Sequence, residues 1–157
     1  MKVFIAGFGN PFREDDSVGL QLAPQIAEWL EEEGFEVNLW IGQQLLPELA
    51  YDLEGAEIAL FIDADMRELP EGYMLENVLS DAALEGLNIH SMGPAWLLSL
   101  MDRLEIPKPE AWLLSISGYS FDFSETLTEQ CSLNAHKAEE AFKKWWKQRK
   151  GGSSCVK

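Results

Sequence analysis

The sequence predicts an α/β protein, a three-layer α/β/α domain on a mostly parallel, twisted sheet of about five strands. Three observations predict it. Short apolar runs of strand length alternate along the chain with stretches of helical periodicity. Two of those runs, Val3 to Ala6 and Ile58 to Ile62, are apolar throughout, as strands buried on both faces are. At 157 residues, 46% hydrophobic and 25% charged, the chain also has the size and composition of one globular domain, able to bury about two-thirds of its unfolded surface.

Val3 to Ala6 opens the chain as a buried strand. From Ser17 onward, Val18, Leu22, Ile26 and Leu30 repeat at helical spacing until Gly34 stops them, so the first unit is a strand followed by a helix. Phe35 to Ile41 reads as the second strand, Pro47-Glu48-Leu49-Ala50 begins a short helix that Gly55 closes, and Ile58 to Ile62 is the central strand. After the Pro70-Glu71-Gly72 turn, Tyr73 to Val78 reads as an edge strand. A helix is predicted from about Gly93 to Leu104, with Leu97, Leu100, Met101 and Leu104 on one face, and Trp112 to Ser117 is the last strand. The final helix is predicted from about Thr128 to Arg149, with Ala138, Ala141, Phe142 and Trp145 as its core face. With no internal repeat or linker, residues 1–150 read as a single domain and the Gly/Ser-rich 151–157 as a flexible tail.

Composition narrows the function classes. No apolar run approaches the ~20 residues of a membrane span, and Met1-Lys2-Val3 leads directly into a strand rather than a signal peptide, so a cytoplasmic protein is expected. A net charge of −15 disfavours nucleic acid, whose binding rests on Lys and Arg against phosphates. Seven of the twelve basic residues fall from Lys137 onward. They read as a solvated face of the last helix, favoured near its C-terminus by the helix dipole, or as a docking surface for an acidic partner. Cys131 and Cys155 have no ligand-like spacing, which argues against a disulfide or a zinc knuckle.

The chemistry concentrates in Gly7-Phe8-Gly9-Asn10-Pro11-Phe12-Arg13-Glu14-Asp15-Asp16, which follows the first strand and precedes the first helix. In open α/β sheets, sites are built at that end of the strands. A dinucleotide fingerprint would need a glycine where Phe12 stands, and the three consecutive acids would repel a pyrophosphate, whereas they suit a metal ion or proton transfer. Asp63 and Asp65 follow Leu60-Phe61-Ile62, and His90 lies in the loop before a helix. Asp16, Asp63 and His90 therefore lie on connections that could meet at one edge of the sheet, and together they form a donor set for a divalent transition metal. Taken alone, an acid after a strand is more often a turn residue or helix cap, and a lone loop histidine is more often a solvated or backbone-bonded one.

With these motifs in place the chain resembles the hydrogenase maturation endopeptidases, which remove a C-terminal extension from the large subunit of a [NiFe] hydrogenase after nickel insertion. The resemblance covers Val3 to about Ala141. Gly7-Phe8-Gly9-Asn10 with Asp15-Asp16 matches its first pattern, Phe61-Ile62-Asp63-Ala64 with the Pro70-Glu71-Gly72 turn its second, and His90-Ser91-Met92-Gly93 its third. Ser17 stands where the family commonly has glycine, and Glu71 is inserted in the turn. The resemblance implies that Asp16, Asp63 and His90 are both the nickel ligands and the catalytic residues of an aspartic-type or metal-dependent endopeptidase. It implies a monomer that acts on a large-subunit precursor and recognises nickel held in that substrate, without holding the ion tightly itself. No Gly-x-Ser-x-Gly or His-Glu-x-x-His is present to suggest another protease class. The second function class is a noncatalytic α/β module that binds a small ligand or a protein partner.

Overall fold

The computed structural model describes residues 1–80, 93–124 and 126–156, with side chains described through Arg149. His90 lies outside the described residues, and where a flexible tail was expected at 151–157 the last helix continues to Val156, the side chains beyond Arg149 not being described. In chain order the elements are β1 (Lys2–Phe8), a 3-10 turn (Glu14–Ser17), α1 (Val18–Glu32), β2 (Glu36–Gly42), α2 (Leu49–Asp52), β3 (Ile58–Asp65), β4 (Tyr73–Val78), α3 (Pro94–Arg103), β5 (Glu110–Ser117) and α4 (Glu129–Val156).

The five strands form one sheet in the order β2-β1-β3-β5-β4. The first four are parallel neighbours, and β4 runs antiparallel to β5 at the edge. Apolar side chains leave the strands on alternate faces and build two cores. On one face Val3, Ile5, Leu60, Ile62 and Leu114 pack against α1 and α4. On the other Phe4, Ala6, Phe8, Ala59 and Phe61 pack against α2, α3 and their flanks. The three-layer α/β/α expectation holds, and it explains why β1 and β3 are apolar throughout, since each is covered on both sides.

From β1 the chain crosses to β2 on one side and then returns to β3 on the other. Such a reversal of strand order leaves a crevice outside the carboxyl ends of β1 and β3, where open α/β sheets bind ligands.

The core face of α4 differs from the sequence expectation. Cys131, Asn134, Ala138, Phe142 and Trp146 are the buried positions, and Trp146 is only 2% exposed. Trp145 lies one residue off that stripe, partly buried, with its ring 4.8 Å from that of Trp112. The buried Asn134 interrupts the apolar pattern and so disguises the stripe's centre. We expect Trp146→Ala to lose about 3–5 kcal/mol and Trp145→Ala about half of that. Urea unfolding of both variants checks this, and a larger loss at Trp145 would restore the original assignment.

Three of the basic residues of α4, Lys143, Lys147 and Arg149, are engaged by the protein itself. Lys143 pairs with Glu139 at 2.8 Å, Lys143 and Lys147 lie over the Trp29 ring, and Arg149 grips the carboxylate of Glu110 with both terminal nitrogens. Among the described residues no helix is long and apolar enough to cross a membrane.

Candidate active site

Close approach of backbone to backbone builds the site. A Cβ on Gly19, in the first turn of α1, would strike the carbonyl oxygens of Phe8 and Ile62, so only glycine lets the helix start directly on the ends of β1 and β3. Gly9 has φ +149° and touches the carbonyl of Asp16, an arrangement closed to any residue with a Cβ. These two glycines bring the 3-10 turn that carries the acids over the crevice. Just before them Glu14 is held in the left-handed region at φ 40° by its own N–H to the Ser124 carbonyl (2.9 Å) and by the Ser17 hydroxyl on its carbonyl (2.7 Å). Strain of that kind costs about 1 kcal/mol or more and collects at functional sites.

The three neighbouring acids have different fates. Asp15 points inward and is fully buried. Its carboxylate accepts hydrogen bonds from the amides of Tyr119 (2.7 Å), Ser120 (3.1 Å) and Thr128 (2.7 Å) and from the Thr128 hydroxyl (2.7 Å). Burial alone would raise its pKa, but these donors outweigh burial and hold the carboxyl below the usual range. Asp16 stays partly exposed, and its Oδ2 accepts the Asn10 amide at 2.7 Å. The Asn10 side chain in turn accepts the Phe12 amide at 2.9 Å, fixing the loop.

Asp63 lies within β3, which continues to Asp65 rather than ending at Ile62. Burial pushes its carboxyl up to about 7; the Ala64 amide on Oδ1 at 2.8 Å opposes this, and the negative charges of Asp16 and Asp65 add to it. The structure thus brings Asp16 and Asp63 within electrostatic reach of each other at the crevice. Asp65 is committed elsewhere, in an ion pair with Arg67 at 2.7 Å that holds its carboxyl below the usual range. Among the described residues no group of three His, Cys, Asp or Glu side chains is assembled for a metal, and the third residue of the expected set, His90, lies outside them.

The walls of the crevice come from later connections. The Ser117 hydroxyl donates to the Arg67 carbonyl (2.9 Å) and accepts the Leu69 amide (2.8 Å), bracing the loop after β3. Large apolar side chains stand exposed on the connections that follow β1, β3 and β5: Phe12 at 54%, Met66 at 80% and Phe123 at 82%. Arg13 lies over the Phe123 ring, and the Ser124 amide donates to the Phe12 carbonyl, so two of these three belong to one surface.

Sequence reasoning missed the role of Asp15, which it took only as one member of an acid pair. The available signal was Thr128, a hydroxyl at the entrance of a helix, but nothing local connects it to position 15.

Cys131 is buried, and its thiol is pushed up to about 12 by burial and by the charge of Asp15, to which it also hydrogen-bonds. A thiol so far from ionisation is no nucleophile. Cys131→Ser with Cys155→Ser should therefore leave activity within about twofold, and thiol alkylators should not inhibit, because the thiol packs as a small hydrophobe. Loss of activity in a well-folded double variant would restore a thiol mechanism.

No protein-family model and no curated protein sequence matches the chain. Solved structures do. The hydrogenase maturating endopeptidase HybD from E. coli superposes with a TM-score of 0.65 at 19% identity, covering 90% of each chain. The [NiFe] hydrogenase maturation protease HybD from Thermococcus kodakarensis gives 0.59 at 22% identity over 92% of this chain and 99% of that one. The protease HycI from Thermococcus kodakarensis KOD1 gives 0.63 at 20% identity over 90% and 89%. At these identities what is shared is the fold.

Proposed function

We propose that the protein is an endopeptidase that removes the C-terminal extension of a [NiFe] hydrogenase large-subunit precursor and recognises nickel already held by that substrate. The observation that carries this reading is the meeting of Asp16 and Asp63 at the strand-order crevice of a fold shared, over nine-tenths of the chain, with hydrogenase maturation peptidases. In this reading Asp16 and Asp63 offer oxygen donors and His90 a nitrogen donor to the substrate's nickel. The donor set fits a cation: Asp63 is partly buried, with the charges of Asp16 and Asp65 near it, and a positive ion would relieve the cost of ionising it. Nickel bound there would polarise a carbonyl or acidify a water.

The protein's own groups carry the remaining work. Asp63, raised to about 7 in the metal-free protein and ionised once a cation lies beside it, would then present a carboxylate able to accept the proton of an attacking water. Phe12 and Phe123 on one surface, and Met66 on the connection after β3, are exposed apolar side chains that favour a protein substrate over a small ligand, and so an enzyme acting on a macromolecule over a small-molecule module. The reading includes a cytoplasmic monomer with no nucleic-acid or membrane partner. It also includes little tightly bound nickel in the purified protein, because the substrate's thiolates complete the coordination.

The test compares nickel-loaded with nickel-free precursor. Shortening of the loaded form alone is expected. Equal cleavage of both would overturn nickel recognition, and unchanged length of both would favour the binding module.

A further inference from the structure

β2 is an edge strand, and its hydrogen bonds show which backbone groups it leaves open. In a parallel ladder the N–H and C=O of one residue point to the same side. The Glu36 amide donates to the Met1 carbonyl (3.3 Å), and the Gly42 carbonyl accepts the Gly9 amide (3.1 Å), so Glu36, Asn38, Trp40 and Gly42 face β1. Val37, Leu39 and Ile41 therefore turn their N–H and C=O groups outward, where no described strand pairs with them.

Natural edges are normally blunted by lysine, proline or a bulge. This one carries a single charge, Glu36, at its start, and it exposes Leu39 at 43% and Ile41 at 49%. Beside it is a hollow of about 450 Å³ walled by Phe4, Trp40 and Tyr51, with Asp52 and Glu54 against the single cation Lys2. The edge also leads to the site, since Gly42 is bonded to Gly9 and the next residue, Asn10, is bonded to Asp16.

We propose that the β2 edge takes up, by strand addition, an extended segment of the protein substrate flanking the scissile bond. That segment carries apolar side chains beside Leu39 and Ile41, and on the opposite face a lysine or arginine directed to the aromatic and acidic hollow. The inference rests on the peptidase reading above. Charge argues against a second copy of this chain: joining two β2 edges would bring together two molecules of net charge −15 with Glu36, Asp52 and Glu54 on both sides. The same acids favour a cationic strand, and backbone pairing supplies affinity with little demand on sequence.

Two variants and one exchange measurement test the proposal. Leu39→Pro removes an outward N–H without touching a bond to β1, and Ile41→Lys keeps the backbone but places a charge on the edge. Each should raise KM for nickel-loaded precursor about tenfold, with kcat within about twofold. With the uncut precursor bound to Asp63→Asn protein, hydrogen exchange at the Val37, Leu39 and Ile41 amides should slow, while Asn38 and Trp40 change little. Unchanged KM in both variants, or no added protection, would overturn strand addition even while the wild type cleaves. A raised KM in Leu39→Pro alone, without protection, would overturn it as backbone strain. Concentration-dependent protection of these amides in the protein alone would give the edge to a second copy and overturn it as well. Failure of the wild type to cleave the precursor at all would strike the peptidase reading instead, and is distinguished by that result alone.

Discussion

Asp63→Asn should lower cleavage of nickel-loaded precursor by about 100-fold or more and, at the same time, make the metal-free protein more stable above pH 7. The two effects have one origin. In the folded protein the Asp63 carboxyl is raised from 3.8 to about 7 by burial and by Asp16 and Asp65, so between those values the native state holds a proton that the unfolded chain has lost. Stability from this group is therefore fully present below about pH 4, falls as pH rises, and is gone above about pH 7. Asparagine carries no charge to bury and escapes that loss, which amounts to about 2–4 kcal/mol at pH 8. Asp16→Asn should impair cleavage comparably, whereas Asp65→Asn, whose carboxylate is occupied by Arg67, should cost less than about tenfold. Cleavage rates with denaturant unfolding at pH 5 and pH 8 check the set. Full activity in Asp63→Asn, or equal stability of it and the wild type at pH 8, would remove Asp63 from the role assigned to it.

Asp15→Ala should lose as much stability as Trp146→Ala, about 3–5 kcal/mol, because the change strands the three amides and one hydroxyl that the carboxylate satisfies. Here the pH sign is opposite to that of Asp63. The Asp15 carboxyl is held below its ordinary value in the native state, so its contribution is present above about pH 4 and lost as pH falls through the lowered value. The gap between wild type and variant should accordingly narrow under acid. A gap that stays constant down to pH 2 would show that the carboxylate's charge is not what holds the 119–128 connection.

The layers were legible because β1 and β3 are buried on both faces and so appear as unbroken apolar runs, and because Gly34 and Gly55 mark the ends of helical stretches. The placement of Asp16 and Asp63 at the carboxyl ends of β1 and β3 was legible, since a carboxylate after an apolar strand falls at the end of the sheet where crevices open. Contacts distant in sequence were not. Nothing near Asp15 distinguishes it from Asp16, yet one is fully buried and the other is not. The centre of the α4 stripe was displaced by one residue because Asn134, bonded to the Ser117 carbonyl and the Tyr119 hydroxyl, occupies a core position without being apolar. Trp145 and Trp146 both pack, and periodicity alone does not rank adjacent indoles.

Asp15 also has a meaning in time. The groups that hold it lie 104, 105 and 113 residues further along the chain. On a ribosome adding about 5–20 residues per second, Thr128 is made roughly 6–23 s after Asp15, and α4 follows it. Throughout that interval the nascent chain carries the Asp16 turn and β3 but lacks the anchor that seats the turn, and closing so long a loop is entropically the last step to become favourable. On the peptidase reading, cleavage competence should therefore arise only once Thr128 and α4 have been made and the turn is anchored.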